Sequence, residues 1–320
     1  MKAPIAKFSL AATAIVLAVA AHGAAHADCE TLIAAFDRAV AAHSIDGAQR
    51  AATGIADDIL CGSRGDEFQE RLVEFLIAHA GAAATPAADR QRAIAMARES
   101  LEVTGTWRNA ERLANYFMDR GDRGMALYWY EKSVSLQNAP GVKSAPAERQ
   151  SLLANAAAAK ILANDDRQGE RTIVFAGSTR DPSNGKLGGI YAPGLLRGAK
   201  VVAVPLPINF YTDEPRFTPA GEQALKEFAA AAREQQVRTM KLVGHADPRG
   251  AAQYNMDLSR RRVEAVRNAL VAGGVTARIM IDWKGSEQPI DIGTLHFKPS
   301  QEELWALDRR VEWVREGTAQ

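Results

Sequence analysis

From residue 30 to about residue 164, apolar residues recur at helical spacing in Ala-rich blocks separated by short Gly, Asp and Pro turns, with almost no strand signal. The blocks predict helices over residues 30–43, 47–59, 67–80, 87–102, 107–120, 123–136 and 147–164, folded into hairpins by the turns between them. After residue 171 the texture changes to apolar β-prone runs at 172–176 and 200–204, around a loop of Gly, Pro, Ser and Asn. Pro205 and Pro207 cannot donate ladder hydrogen bonds, which places their strand at a sheet edge or at its own end. Residues 208–210 then end a strand, and Thr218-Pro219 supply an N-cap and first-turn proline for a helix with Leu225, Phe228, Ala229 and Ala232 on one face. A strand at 237–245, a helix at 255–272 and strands at 278–283 and 309–315 complete the pattern. The chain is therefore expected to be multidomain: an N-terminal all-α helical-hairpin domain, then a βαβαββ domain with a mixed sheet and helices on one side.

The chemistry concentrates in Gly244 to Arg262, GHADPRGAAQYNMDLSRRR. Asp247 follows an apolar β-prone run and precedes a Pro-Arg-Gly turn, so its carboxylate should stand where the strand opens into a loop. On the next helix, at ~100° per residue, Asn255, Leu258 and Arg262 fall within roughly 60° of one another, and Val266 and Leu270 continue the stripe. An Asn and an Arg on a core-facing stripe need partners, since a buried charge without them costs several kcal/mol. Asp247 and Arg262 together suit one zwitterionic ligand group, the Arg fork taking a carboxylate and the Asp an ammonium. The competing arrangement is an internal salt bridge that ties strand to helix.

These residues resemble the OmpA-like peptidoglycan-binding module, whose pattern runs roughly G-H-[TA]-D, G, Y-N, L-S, R-R and later R-R-V. The matching positions are Gly244, His245, Ala246, Asp247, Gly250, Tyr254, Asn255, Leu258, Ser259, Arg261, Arg262, Val266, Arg309, Arg310 and Val311. The spelling is most similar to the Pal branch, over about residues 202–316. The resemblance implies that Asp247 and Arg262 clamp the amine and carboxylate of diaminopimelate in the peptidoglycan stem peptide, with Leu258 packing on the ligand. Asn255 belongs to the same stripe, and His245 is read as a hydrogen-bonding wall of the pocket. Phe210 and Asp213 stand where relatives have an F-x-x-D-like segment beside the ligand, although Asn209 and Tyr211 depart from the usual small or acidic neighbours. Residues 290–307 are longer than a plain turn, and Ser300 with Glu303 forms a capping box, predicting a short helix that covers or borders the pocket.

Within the helical region, Ala114, Ala126, Tyr130 and Ser133 resemble the small, small, aromatic, small spacing of a tetratricopeptide repeat around the Gly121-Asp122 turn. Ala93, Ala97 and Ser100 repeat the second-helix pattern about 33 residues earlier. A short tetratricopeptide-like or Sel1-like array is expected, with an ordinary α-hairpin bundle as the alternative. Tyr116, Phe117, Tyr128, Trp129 and Tyr130 fit packing between hairpins as well as a peptide groove.

Lys2 and Lys7 precede an apolar run from Phe8 to Ala21 that ends in Ala25-His26-Ala27, the pattern of a secretory signal peptide. The run is too short to span a bilayer, and no later segment is long and apolar enough to do so. The expected organisation is a signal peptide at 1–27, a helical domain at 28–166, a linker with lead-in strands at 167–201, and the peptidoglycan-binding domain at 202–320. Removing Lys2 and Lys7 from the 39 basic residues leaves 37 against 38 acidic ones, with no basic stripe to suggest nucleic acid. The two cysteines, Cys29 and Cys61, suit a disulfide in an exported chain. A lipidated Cys29 is the alternative, against which stand Asp28 and His26 where a lipobox has a small residue and Leu.

Catalytic signatures are missing from the sequence. Beyond the signal, His43, His79, His245 and His296 show no metal-ligand spacing, and no nucleophile motif accompanies them, so neither metal nor cofactor is expected. The expectation is a non-enzymatic protein of the Gram-negative periplasm, associated with the cell wall or outer membrane. It would bind peptidoglycan through the C-terminal domain and an envelope protein partner through the helices. The alternative is an interaction scaffold of an envelope or secretion assembly whose OmpA-like domain binds no peptidoglycan; a cell-wall hydrolase is a distant third.

Overall fold

The computed structural model describes residues 29–165, apart from Leu60, and residues 201–316. The expected signal peptide, the expected strand at 172–176 and the expected loop after it lie outside the described residues. The chain divides into two compact units, Met1–Gly105 and Thr106–Gln320. The division places the helices that follow Gly105 in the same unit as the sheet.

The first unit is all helical: α1 (residues 29–41), α2 (Ile45–Asp57), α3 (Gly65–Gly81) and α4 (Ala87–Thr104). Ser44 caps α2 by accepting from the Gly47 N–H at 3.2 Å, satisfying one of the first-turn donors. Phe36 and Phe68 meet edge to face at 5.1 Å in a core that also buries Ala48, Ala52, Ile55 and Leu76. Cys29 and Cys61 form the disulfide, closing a loop with a sequence separation of 32.

The second unit opens with α5 (Trp107–Asp119), α6 (Arg123–Gln137) and α7 (Pro146–Ala163). Gly121 takes φ +76° between α5 and α6, a turn that a side chain would strain. Ala114, Ala126, Tyr130 and Ser133 are fully buried, and Ser133 Oγ donates to the Trp107 carbonyl at 2.7 Å. The small Ala114, Ala126 and Ser133 let the two helices approach closely around Tyr130.

The sheet contains β1 (Val201–Leu206), β2 (Thr239–Gly244), β3 (Arg278–Trp283) and β4 (Val311–Glu316) in the order β1-β4-β2-β3. β4 is antiparallel to both neighbours and β2 runs parallel to β3, so the sheet is mixed. β1, with its Pro205, is an edge strand, as its missing donor requires. Between the strands lie α8 (Pro219–Glu234), α9 (Ala252–Ala272) and the short α10 (Gln301–Asp308). Thr218 caps α8 and Ser300 makes the full capping box with Glu303 at α10. Phe228 of α8 packs on Trp313 of β4 with ring centroids 5.3 Å apart.

Three strand limits differ from the sequence expectation, each because a neighbouring turn takes the backbone groups. Residues 208–210 lie past the end of β1: Pro207 has no N–H, Ile208 N donates to the Leu206 carbonyl at 2.7 Å, and Phe210 forms an isolated bridge with Phe217. β2 begins at Thr239, since Val237 N is spent on the Ala232 carbonyl at the end of α8 at 3.1 Å. β4 begins at Val311, since Arg309 N and Arg310 N finish α10, on the Trp305 and Asp308 carbonyls.

Polar contacts bind α5–α7 to the sheet portion of the second unit. Asn209 Nδ2 donates to the Ile161 carbonyl at 3.0 Å, and Asn155 Oδ1 accepts from His296 N at 2.8 Å. Arg123 pairs with Glu303, both largely buried. Lys160 stands 3.4 Å from Glu131 and 3.6 Å from Glu227.

Two outcomes are expected. Reducing the Cys29–Cys61 bridge should destabilise the first unit by about 3 to 4 kcal/mol in the loop-entropy model, read by thermal unfolding with and without reductant. Intact mass should show neither a lipid adduct nor alkylatable thiols before reduction. Separately, a fragment beginning at Thr106 should unfold cooperatively at higher temperature than one beginning at Val201, which lacks the partners of Asn209, Glu303 and His296. Equal melting temperatures would show that those contacts contribute no stability.

Candidate functional site

The site begins where β2 runs out. Gly244 must be glycine there, because a Cβ would come within 2.4 Å of the Ser259 carbonyl of α9. His245 N and Ala246 N donate to the Arg310 and Gly285 carbonyls at 2.9 and 2.8 Å, which holds the chain in register up to Asp247. Asp247 then closes its own turn by accepting from Arg249 N at 3.1 Å, and Gly250 at φ +87° turns the chain into α9. Asn255 of α9 donates to the Asp247 carbonyl at 3.1 Å. These bonds put the Asp247 carboxylate in a fixed position, with one backbone donor on Oδ1 and its remaining lone pairs turned to side chains.

Arg262 lies two turns along α9 from Asn255 and is 1% exposed. Its Nε donates to the Glu214 carbonyl at 3.1 Å and its Nη2 to the Tyr211 carbonyl at 3.3 Å. Those carbonyls belong to a tight turn in which Glu214 N donates to Tyr211 O and Asp213 takes φ +59°, and Tyr254 OH donates to Asp213 O at 3.3 Å. The guanidinium also lies over the Phe210 ring, 5.1 Å from its centroid. Its Nη1 is buried and has no hydrogen-bond partner. Among the described residues no carboxylate makes an ion pair with it. Burial, and after it the nearby Arg309 charge, pull the Arg262 pKa down to about 10, still well above neutral pH.

Asp247 has different partners. Arg249 makes a fork on it, Nε to Oδ1 at 2.9 Å and Nη2 to Oδ2 at 2.7 Å, and Arg309 Nη1 reaches Oδ2 at 3.2 Å. Burial pushes its carboxyl up, but the hydrogen bonds from Arg249 and Arg309 outweigh that and hold it below the ordinary aspartate value. The internal Asp247–Arg262 salt bridge weighed from the sequence is thus not formed.

Leu258 is buried one turn before Arg262, and Phe210 and the Asp213 turn flank the guanidinium, so these residues share one neighbourhood. His245 faces elsewhere: it is 1% exposed and its Nε2 lies 3.3 Å from Glu312 on β4. Sequence reasoning assigned no role to Arg249, Arg309 or Trp305. Arg309 stood in the R-R-V element and could have been suspected from it. Arg249 lies inside the quoted motif as the Arg of the turn, but only geometry shows its fork on Asp247. No group of three or more His, Cys, Asp or Glu among the described residues is placed to hold a metal ion, and no helix of them is long and apolar enough to cross a membrane.

Residues 209–296 match the model of the OmpA family, so the second unit carries an OmpA family domain toward the C-terminus. Among curated relatives, the peptidoglycan-associated lipoprotein of Pseudomonas aeruginosa is 42% identical over 72 residues, 22% of this chain and 39% of the relative. Outer membrane protein A of Bordetella avium is 38% identical over 82 residues, 25% of this chain and 42% of the relative. The chain thus spans less than half the length of these curated relatives. The crystal structure of the peptidoglycan-associated lipoprotein from Burkholderia pseudomallei is 28% identical and covers 33% of this chain and 86% of that chain, with a TM-score of 0.29.

Glu312 gives the sheet a measurable acid dependence. Burial raises its pKa, but His245 and Arg310 lower it by more and leave it at about 2, below the ordinary glutamate value of about 4.5. The folded state therefore binds this proton more weakly than the unfolded chain. The resulting stability is present above pH 4.5 and is lost as the pH falls toward 2, about 3 kcal/mol in all. Urea unfolding between these limits should show that loss in the wild type and a shallower dependence in Glu312→Gln.

Proposed function

We propose that the protein binds peptidoglycan without chemical turnover, in the periplasm, through its OmpA family domain. Arg262 receives the carboxylate and Asp247 the ammonium of the diaminopimelate residue in the stem peptide, beside Leu258, Asn255, Phe210 and Asp213. The observation that carries this reading is the buried Arg262 Nη1 with no partner. A cation desolvated to this degree, held by two carbonyls and a ring and lacking a counter-charge at contact, is a receptor for a carboxylate. The relatives whose names describe peptidoglycan association support peptidoglycan as the ligand. The N-terminal helices would hold an envelope protein partner. The four donors already on Asp247 favour a second reading, in which the site is internally satisfied and the protein is an interaction scaffold.

Sacculus sedimentation and thermal unfolding of the same variants separate the two. Arg262→Ala should cost roughly 2 to 5 kcal/mol of binding and should also lower the melting temperature, since a buried side chain is removed and the Tyr211 and Glu214 carbonyls lose its hydrogen bonds, so retention is compared where every variant is still folded. Asp247→Ala should also cost binding and melt earlier, because Arg309, 6% exposed, loses one of its carboxylate partners. The double variant should lose much less than the sum. Unchanged sacculus retention in both single variants would leave the scaffold reading.

A further inference from the structure

An ionised carboxylate offers about four lone-pair positions. On Asp247 four donors use them: Arg249 N, Arg249 Nε, Arg249 Nη2 and Arg309 Nη1. A ligand ammonium can therefore reach Asp247 only by displacing one of them. Arg309 is a poor candidate to leave, as its side chain is 6% exposed and also faces Asp165 at 3.6 Å. The Arg249 side chain is 39% exposed, and its guanidinium lies 4.6 Å from the centroid of the Trp305 ring on α10. It combines charge-assisted hydrogen bonds to the same oxygens that a ligand ammonium would use with an open route into solvent. Trp305 lies past residues 209–296, so the seat for this arginine comes from outside the segment that matches the family.

We propose that Arg249 is a self-bound gate on the amine half of the site, held shut by Asp247 and by stacking on Trp305. The inference rests on the peptidoglycan reading and adds regulation to it. With the gate shut, Arg262 still accepts a carboxylate. A ligand that presents an ammonium beside its carboxylate opens the gate at the expense of the Arg249 ion pair. Half-exposed ion pairs are weak, so the gate reduces affinity for the zwitterion by a modest factor and leaves affinity for a plain carboxylate untouched.

The test uses the full chain and two soluble probes: the tripeptide L-Ala-γ-D-Glu-meso-diaminopimelate, and the same peptide N-acetylated on its free diaminopimelate amine. Arg249→Ala is expected to tighten binding of the unmodified peptide roughly three- to tenfold and to leave the acetylated peptide unchanged. Trp305→Ala should act in the same direction and add nothing in the Arg249→Ala background. Weaker or unchanged binding of the unmodified peptide by Arg249→Ala overturns the gate, whatever Trp305→Ala does. Equal tightening of both peptides also overturns it, since only the ammonium competes with Arg249. If wild type binds, Arg262→Ala does not, and Arg249→Ala equals wild type, the gate alone fails. If neither wild type nor Arg249→Ala binds either peptide, the gate and the clamp fail together.

Discussion

The arrangement of the C-terminal domain follows from a single buried cation. Arg262 is among the largest fully buried side chains of the described chain, beside Trp129, Tyr130 and Phe36. Desolvating a guanidinium costs several kcal/mol, and proteins usually recover that with a carboxylate. Here the recovery is partial and made of dipoles: two carbonyls of the 211–214 turn and the face of Phe210. The turn carries its own strain, since Asp213 sits in the left-handed region without being glycine. A residual deficit at Nη1, with strain stored around it, is the condition of a site arranged for something that arrives from outside.

The helices at 107–163 reach both halves of that site. Asn209, next to Phe210, donates to the Ile161 carbonyl near the end of α7, and Asp165, just past that helix, faces Arg309. Arg309 in turn holds Asp247. A change at the end of α7 would thus be felt at the aromatic floor under Arg262 and at the carboxylate opposite. Asn155 and Arg123 fix the same helices to the segment before β4, through His296 and Glu303. With these buried polar groups paired across the unit, separating α7 from the sheet would leave several donors and acceptors unsatisfied at once.

Much of this was legible in the sequence because it depends on local signals. The seven N-terminal helices, the Thr218-Pro219 start, the Ser300-Glu303 box and the edge position of the Pro205 strand rest on periodicity, caps and a missing N–H, each read within a few residues. The approach of Asp247 and Arg262 to one region was legible for the same reason, as a strand end followed by a helical stripe. The strand limits at 208–210, 237 and 309 were not, because the competing acceptors, Leu206, Ala232, Trp305 and Asp308, become available only once the neighbouring turns and helices have formed. The partners of Asp247 illustrate the harder case. Arg249 is two residues away and Arg309 sixty-two, and no period or spacing links either guanidinium to the carboxylate. His245 shows the converse: its place in the motif suggested a pocket wall, while the strand pairing of β2 with β4 brings it to Glu312.

The two halves of the site are therefore unlike in kind. Arg262 is held on one side by groups that cannot leave, backbone carbonyls and a packed ring, so its orientation is fixed before any ligand comes. Asp247 is fixed in position but filled by side chains, one of them half in solvent. Three guanidiniums, Arg249, Arg262 and Arg309, gather around that one carboxylate, with Asp165 against Arg309. Asp213 also acts on Arg249 and Arg262, so the carboxylates of Asp247, Asp165 and Asp213 offset the three guanidiniums, and rigidity rather than net field orders the contacts. A zwitterion would then dock carboxylate first on the rigid half and complete its contacts at the half that must rearrange. That order follows from which partners can move.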